Sequence, residues 1–214
     1  MKILCLSASN IEPFKEQSAS TRTCELVREL VLAKQADAEV SVLPLIDYEL
    51  KPCRMCGKCL EAGRCVRDEA FNAVYNALKG ADRIFMVCPQ YATIPAKVVM
   101  LFEKFQEISY LNWCADNNYE FPLAHKPVGL IVHGGQTEEA LPQYKTNLLA
   151  PLAAILRSVG MQVVGVDKEW QDGTAFAITR LSMPEDSIFV TIEHDWGAIR
   201  SRVEPLVENV MVAR

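Results

Sequence analysis

The densest chemistry in this chain lies in Cys53-Arg54-Met55-Cys56-Gly57-Lys58-Cys59-Leu60-Glu61-Ala62-Gly63-Arg64-Cys65. Four of the eight cysteines fall there, spaced C-x2-C-x2-C-x5-C. Four sulfur ligands on one short loop can converge on a single inorganic centre, and thiolates select zinc or iron–sulfur clusters over magnesium or calcium. Zinc sites usually pair one C-x2-C with a second pair a dozen or more residues away. Cysteines at i, i+3 and i+6 instead match the cluster run C-x2-C-x2-C-x3-C, which wraps a cuboidal centre. The fourth cysteine follows in the same loop, so Cys53, Cys56, Cys59 and Cys65 suit one [4Fe-4S] cluster. Zinc or a disulfide pair are the alternatives. Gly57 and Gly63 supply tight turns. Arg54, Lys58 and Arg64 would favour added negative charge on a bound centre, although surface exposure is the plainer reading of those charges.

A loop of this kind needs a scaffold. The chain has 214 residues, half of them hydrophobic, which suffices for one well-buried domain over residues 1–214 with the cysteine loop, 51–67, inside it. Net charge is −5 with a pI near 5.3 and no basic stripe, which argues against nucleic acid and anionic membranes as partners. The N-terminal apolar run is too short for a signal peptide, and the run Leu148–Leu156 too short for a membrane span. Eight cysteines without an export signal point to the reducing cytoplasm.

Apolar strands alternate with amphipathic helices. Strands are expected at Lys2–Leu6, Glu39–Leu43, Arg83–Cys88, Pro127–His133 and Met161–Val166. Helices are expected at Thr21–Lys34, Glu69–Leu78, Ala96–Tyr110, across most of Glu138–Gly160, and at Glu193–Met211. Strands apolar on both faces make a parallel sheet covered on both sides. Five such units fit an α/β, flavodoxin-like, doubly wound five-stranded parallel sheet of order 2-1-3-4-5, with the cysteine-rich loop inserted after strand 2. In such a sheet, ligands bind beyond the carboxyl ends of the strands where the order reverses, between strands one and three.

The loops at that switch point have unusual compositions. After strand one come Ser7-Ala8-Ser9-Asn10 and then Ser18-Ala19-Ser20-Thr21-Arg22, which opens the first helix. Hydroxyls and free N–H groups at a helix N-terminus make an anion site, and Arg22 adds charge; helix capping alone also explains Ser20 or Thr21. The chain lacks both a Gly-Lys-Ser/Thr nucleotide-triphosphate loop and a GxGxxG turn, so a single phosphate monoester is indicated, which suggests FMN. After strand three, Pro89-Gln90-Tyr91-Ala92 offers backbone donors and an aromatic wall to a flat heterocycle. After strand four, His133-Gly134-Gly135-Gln136 permits close backbone approach, with His133 more readily structural than catalytic. Cys88 reads as a buried small hydrophobe. His125 and His194 show no ligand spacing, and no residue is nominated as acid or base.

These features together resemble the iron–sulfur flavoproteins of the NAD(P)H-dependent FMN reductase superfamily. The match runs through Ser20-Thr21, Cys53/Cys56/Cys59/Cys65 with Arg67-Asp68-Glu69, Cys88-Pro89-Gln90-Tyr91, Gly134-Gly135-Gln136 and Gly160-Met161-Gln162-Val163-Val164-Gly165, over roughly residues 1–166. The resemblance implies that the four cysteines ligate the cluster and that Ser7, Ser9, Ser20, Thr21 and Arg22 hold the FMN phosphate. It also implies that Pro89, Gln90, Tyr91 and Ala92 line the isoalloxazine, with Gly134 to Gln136 closing the third side. A homodimer or homotetramer is implied too. The family's first loop commonly reads Gly-Ser-Pro-Arg then Asn-Thr, and this chain departs from it with a longer insertion and without that arginine.

A flavin exchanges two electrons together or singly and a four-iron cluster one at a time, so the pair would convert between one- and two-electron partners. The leading expectation is an electron carrier or reductase fed by a ferredoxin-type donor, with oxygen, peroxide or quinones as acceptors. An NAD(P)H-dependent FMN or quinone reductase with a structural zinc loop is the second. A redox sensor switched by its cysteines is the third. The segment Asp167 to Val190 follows no mapped pattern.

Overall fold

The structure, a computed structural model, describes residues 1–12, 15–183, 185 and 190–213. Its main sheet has the order β2-β1-β3-β4-β5, all parallel: β1 is Lys2–Ser7, β2 Glu39–Pro44, β3 Arg83–Pro89, β4 Pro127–His133 and β5 Gln162–Val164. This is the expected flavodoxin-like order. The strands bury side chains on both faces because their residues alternate between two apolar layers. Leu4, Leu6, Ile84, Met86, Val128 and Leu130 face one layer, and Ile3, Cys5, Phe85, Val87 and Ile131 the other. Helices α1 (Ala19–Lys34) and α7 (Trp196–Val212) cover the second layer. The first is covered by α3 (Glu69–Gly80), α4 (Ala96–Ala115) and α6 (Ala150–Ser158). Gly129 sits mid-strand because α7 comes so close: a Cβ there would stand 2.9 Å from Val210 Cγ2.

Three details differ from the expected pattern. The fifth strand is short, and a sixth, β6 (Thr174–Phe176), pairs with the second half of β4 while β5 pairs with the first half. Between them the chain leaves the sheet and returns, held by Asp167 Oδ1 accepting the N–H groups of Glu169 and Trp170. Three residues after a glycine are too few to carry a period, so β6 left no pattern in the sequence. A two-stranded antiparallel ribbon, β7 (Arg180–Ser182) with β8 (Thr191–Glu193), occupies residues expected in part to open the last helix. The segment 138–158 is broken into a 3-10 turn, α5 (Leu141–Tyr144), a π turn over Lys145–Leu149 and α6, with Pro142 and Pro151 at its joints. Among the described residues no helix is long and apolar enough to cross a membrane.

Gly173 makes the return to β6 possible. Its φ is +139°, and an added Cβ would collide with the Leu130 carbonyl oxygen. Gly173→Ala is expected to cost about 2 kcal/mol or more and to lower Tm by several degrees, read by circular dichroism. Gly80→Ala, where nothing lies within 4 Å, is the neutral control.

Candidate functional site

The carboxyl ends of four strands lie side by side: Pro89 of β3 pairs with His133 of β4, which pairs in turn with Phe176 of β6, while Ser7 closes β1 beyond β3. The first loop converges there through hydroxyls. Ser18 caps α1, its Oγ accepting the Thr21 N–H at 3.2 Å and donating to Thr21 Oγ1 at 3.0 Å. Ser7 Oγ is 2.9 Å from the same Thr21 oxygen, and Ser9 Oγ accepts the Ile11 N–H. Ser7, Ser18 and Thr21 thus tie the end of β1 to the first turn of α1. That turn contains no acidic residue, so beyond the Ser18 cap no side-chain charge offsets the dipole of a 16-residue helix there.

Two expected members of this cluster turn elsewhere. Ser20 Oγ lies 2.8 Å from His133 Nε2. Arg22 is exposed, and its guanidinium sits 4.2 Å over the Trp196 ring. His133 is buried, stacked on Phe176, and pulled down to about 3 by burial and then by His194, so its imidazole is neutral.

The loop after β3 carries strain. The Gln90 N–H donates to the His133 carbonyl at 2.7 Å, which pins its start. Ala92 and Thr93 then adopt positive φ values of 43° and 74° without being glycine. A β-branched residue there costs on the order of 1–3 kcal/mol, and such strain gathers at ligand sites. Tyr91 to Thr93 are exposed beside it. On the third side, Gly134 is required by Tyr144, whose hydroxyl oxygen would stand 2.5 Å from an added Cβ. That hydroxyl accepts the Gln136 N–H at 2.9 Å, while Gly135 faces open space.

The cysteine loop lies after β2, against α4. Met55, Gly57 and Gly63 have left-handed φ values of 47°, 70° and 60°, and Gly63 ends the four-residue helix α2 (Cys59–Ala62). The glycines turn as expected; Met55 does so without a glycine's freedom. Cys53, Cys56, Cys59 and Cys65 all line one cavity of about 480 Å³, floored by Lys104, Asp68, Glu107 and Ile108. Burial, and then Glu107, pushes the Cys59 thiol up. All eight cysteines are free thiols; Cys5, Cys24 and Cys88 are buried, and Cys88 behaves as the small core residue expected. Among the described residues no three His, Cys, Asp or Glu side chains are grouped as a metal-binding set. Arg54, Lys58 and Arg64 are exposed, and Arg64 pairs with exposed Glu69 at 2.7 Å, a contact of little energetic weight.

Both ends of this loop are anchored: on Asp68, part of the Arg67-Asp68-Glu69 run that follows the cysteines, and on Lys104, Asn72 and Glu103, which the sequence does not single out. Lys104 Nζ and Asp68 Oδ2 form an ion pair at 3.0 Å, 3% and 2% exposed. Asp68 accepts the Lys51 N–H at the loop's start and the Phe71 N–H as cap of α3. Lys104 donates to the carbonyls of Lys51 and Met100. Asn72 holds Cys65 by two hydrogen bonds, and Glu103 accepts the Cys53 N–H. One signal was available. Lys104 lies within the apolar stripe Leu101, Phe102, Phe105, Ile108, where a charge must find a buried partner.

Comparison with known proteins agrees with this fold. The family profile described as NADPH-dependent FMN reductase matches residues 1–170. An iron–sulfur flavoprotein of Methanosarcina thermophila is 30% identical over 139 residues, 64% of this chain and 67% of that protein. One from Methanocaldococcus jannaschii is 32% identical over 84 residues, 38% of this chain and 44% of that protein. The crystal structure of an azoreductase from Bacillus anthracis superposes with a TM-score of 0.54 at 17% identity, covering 99% of this chain and 98% of that one, which shows a shared fold. The chain belongs to the NADPH-dependent FMN reductase family, as an FMN-dependent oxidoreductase related to the iron–sulfur flavoproteins.

Proposed function

We propose that this protein is an iron–sulfur flavoprotein that moves electrons between a ferredoxin-type one-electron donor and a small acceptor such as oxygen, peroxide or a quinone. The observation that carries the reading is the single cavity walled by Cys53, Cys56, Cys59 and Cys65. Four thiols on the lining of one cavity suit a centre that takes a ligand from each. The all-thiol donor set suits iron. In this reading the four cysteines hold a [4Fe-4S] cluster. Ser7, Ser9, Ser18 and Thr21, with the first-turn N–H groups of α1, receive the FMN phosphate, while Ser20 and Arg22 hold that turn in place from His133 and Trp196. Pro89, Gln90, Tyr91 and Ala92 form one wall for the isoalloxazine, and Gly134, Gly135 and Gln136 the other.

When bound, the flavin and cluster supply two-electron and one-electron chemistry respectively. The chain's own work is to hold and orient them. The strained Ala92–Thr93 backbone presents an open face. The Tyr144 hydroxyl fixes the Gln136 N–H, and the Asp68–Lys104 pair fixes the cysteine loop from beneath. Eight free thiols fit the cytoplasm. A homodimer or homotetramer belongs to the same reading, supported by exposed Met55, Tyr110 and Trp113 at 79%, 62% and 52% beside the cysteine loop. Light scattering tests it.

The family profile over residues 1–170 favours a second reading, direct NAD(P)H oxidation with the cysteine loop holding a structural zinc. One experiment separates the two. Anaerobically purified protein is assayed for iron, sulfide, zinc and flavin alongside its visible spectrum. About four irons per chain and a dithionite-bleached shoulder beneath flavin bands support the first. Flavin bands with one zinc support the second. A protein that takes up no FMN refutes the cofactor site in both.

A further inference from the structure

The first turn of α1 is held from two sides by contacts that electron transfer does not require. On one side, Ser20 Oγ meets His133 Nε2 at 2.8 Å; on the other, Arg22 lies over Trp196. Between them runs a line of rings. His133 stacks on Phe176 at 4.8 Å and 9°, Phe176 meets His194 edge-on at 6.0 Å, and His194 meets Trp196 at 5.5 Å. The ends of β4 and β6 and the start of α7 therefore all close on Ala19–Arg22. Ser20, His133 and Phe176 are each buried.

A histidine is an odd choice for a buried strand end unless its edge is used. Packed flat on Phe176, the ring is fixed in orientation, and Nε2 reaches Ser20 across 113 positions of sequence. A neutral imidazole still offers one donor and one acceptor, so the bond forms in either tautomer. It adds no positive charge. What it adds is the placement of a helix N-terminus relative to the switch point, and a helix end binds an anion only when its N–H groups face it.

We infer that His133, backed by Phe176, is a positioning residue for phosphate recognition: acting through Ser20 Oγ, it sets where the first turn of α1 stands and so makes the site prefer a phosphorylated flavin. This rests on the reading of that turn as the FMN phosphate site. His133→Phe keeps an aromatic ring against Phe176 and removes the nitrogens, at the cost of a ring one atom larger. His133→Gln returns a group able to bond Ser20.

Fluorescence titrations of the full chain with FMN and with riboflavin provide the test. His133→Phe is expected to raise the FMN Kd about tenfold, the equivalent of one buried hydrogen bond, with the riboflavin Kd changed by less than about twofold. His133→Gln recovers part of the loss. In a Ser20→Ala background, His133→Phe adds nothing further, because the two residues act as one unit. Equal losses for both flavins, no loss for either, or full additivity with Ser20→Ala would each overturn the inference while the phosphate site stands. A wild-type protein that binds riboflavin as tightly as FMN would remove the phosphate reading itself, and this inference with it.

Discussion

On the proposed cluster reading, a Cys56→Ser protein is expected to bind FMN and hold almost no iron. Cys56 is exposed, so its sulfur contributes little to packing, and the substitution leaves the fold as it was. It nonetheless removes one of the four thiols around the 480 Å³ cavity. A cuboidal cluster takes one thiolate per iron, and a hydroxyl is a poor substitute for a soft ligand. Iron should drop from about four per chain to near zero, with the broad visible shoulder lost and the flavin bands kept. Cys114→Ser is the control, since Cys114 is equally exposed but lies on α4 outside the loop. Wild-type iron in the Cys56 variant would strike that residue from the ligand set. Loss of iron in both variants would point to general thiol damage instead.

Breaking the Asp68–Lys104 pair has the largest expected effect on stability. Lys104→Met leaves a carboxylate buried without its cation, and removing one partner of a buried pair costs about 3–5 kcal/mol. For a chain of this length that lowers Tm by roughly 6–20 °C. It also releases the Lys51 carbonyl, so iron retention should weaken in the same protein. The double variant Asp68→Asn/Lys104→Met should regain part of the lost stability, because a neutral pair avoids the stranded charge. No recovery would mean that the hydrogen bonds, not the charges, hold the loop.

The pair also has a pH signature. Burial pushes the Asp68 carboxyl up, but the N–H groups of Lys51 and Phe71 and the Lys104 ammonium outweigh it and hold it below the usual carboxylate range. A group charged more readily in the folded state stabilises above its unfolded pKa, about 3.9 here, and loses that contribution as pH falls through the lower folded value. The Tm gap between wild type and Asp68→Asn should therefore shrink as pH drops below about 4. A constant gap would assign the loss to the capping bonds.

Much of this protein was legible before folding. The strand order followed from five apolar runs separated by amphipathic helices. The left-handed turns at Gly57 and Gly63 in the cysteine loop were legible too. The serine-rich loop was read correctly as a helix opening, with Ser18 as the cap in the event. These are local properties. Periodicity, capping and ligand spacing are set within a turn or two of chain, so the residues involved are neighbours in sequence as well as in space.

What only the tertiary structure decided were pairings across long separations and the directions of side chains. Ser20 was grouped with the other hydroxyls by sequence, yet helix rotation aims it at His133 instead. Arg22 carried the expected charge, but Trp196 of the last helix drew it aside. Lys104 and Asp68 meet because α4 crosses the cap of α3 beneath the cysteine loop. Phe176 reaches His133 because an edge strand too short to show a period returns to β4. Each contact depends on strand register and on the azimuth of a packed helix, which are set by the whole core at once. The amino-acid order determined which chemistry this protein carries; the packing of two helical layers on one sheet determined which groups that chemistry is held by.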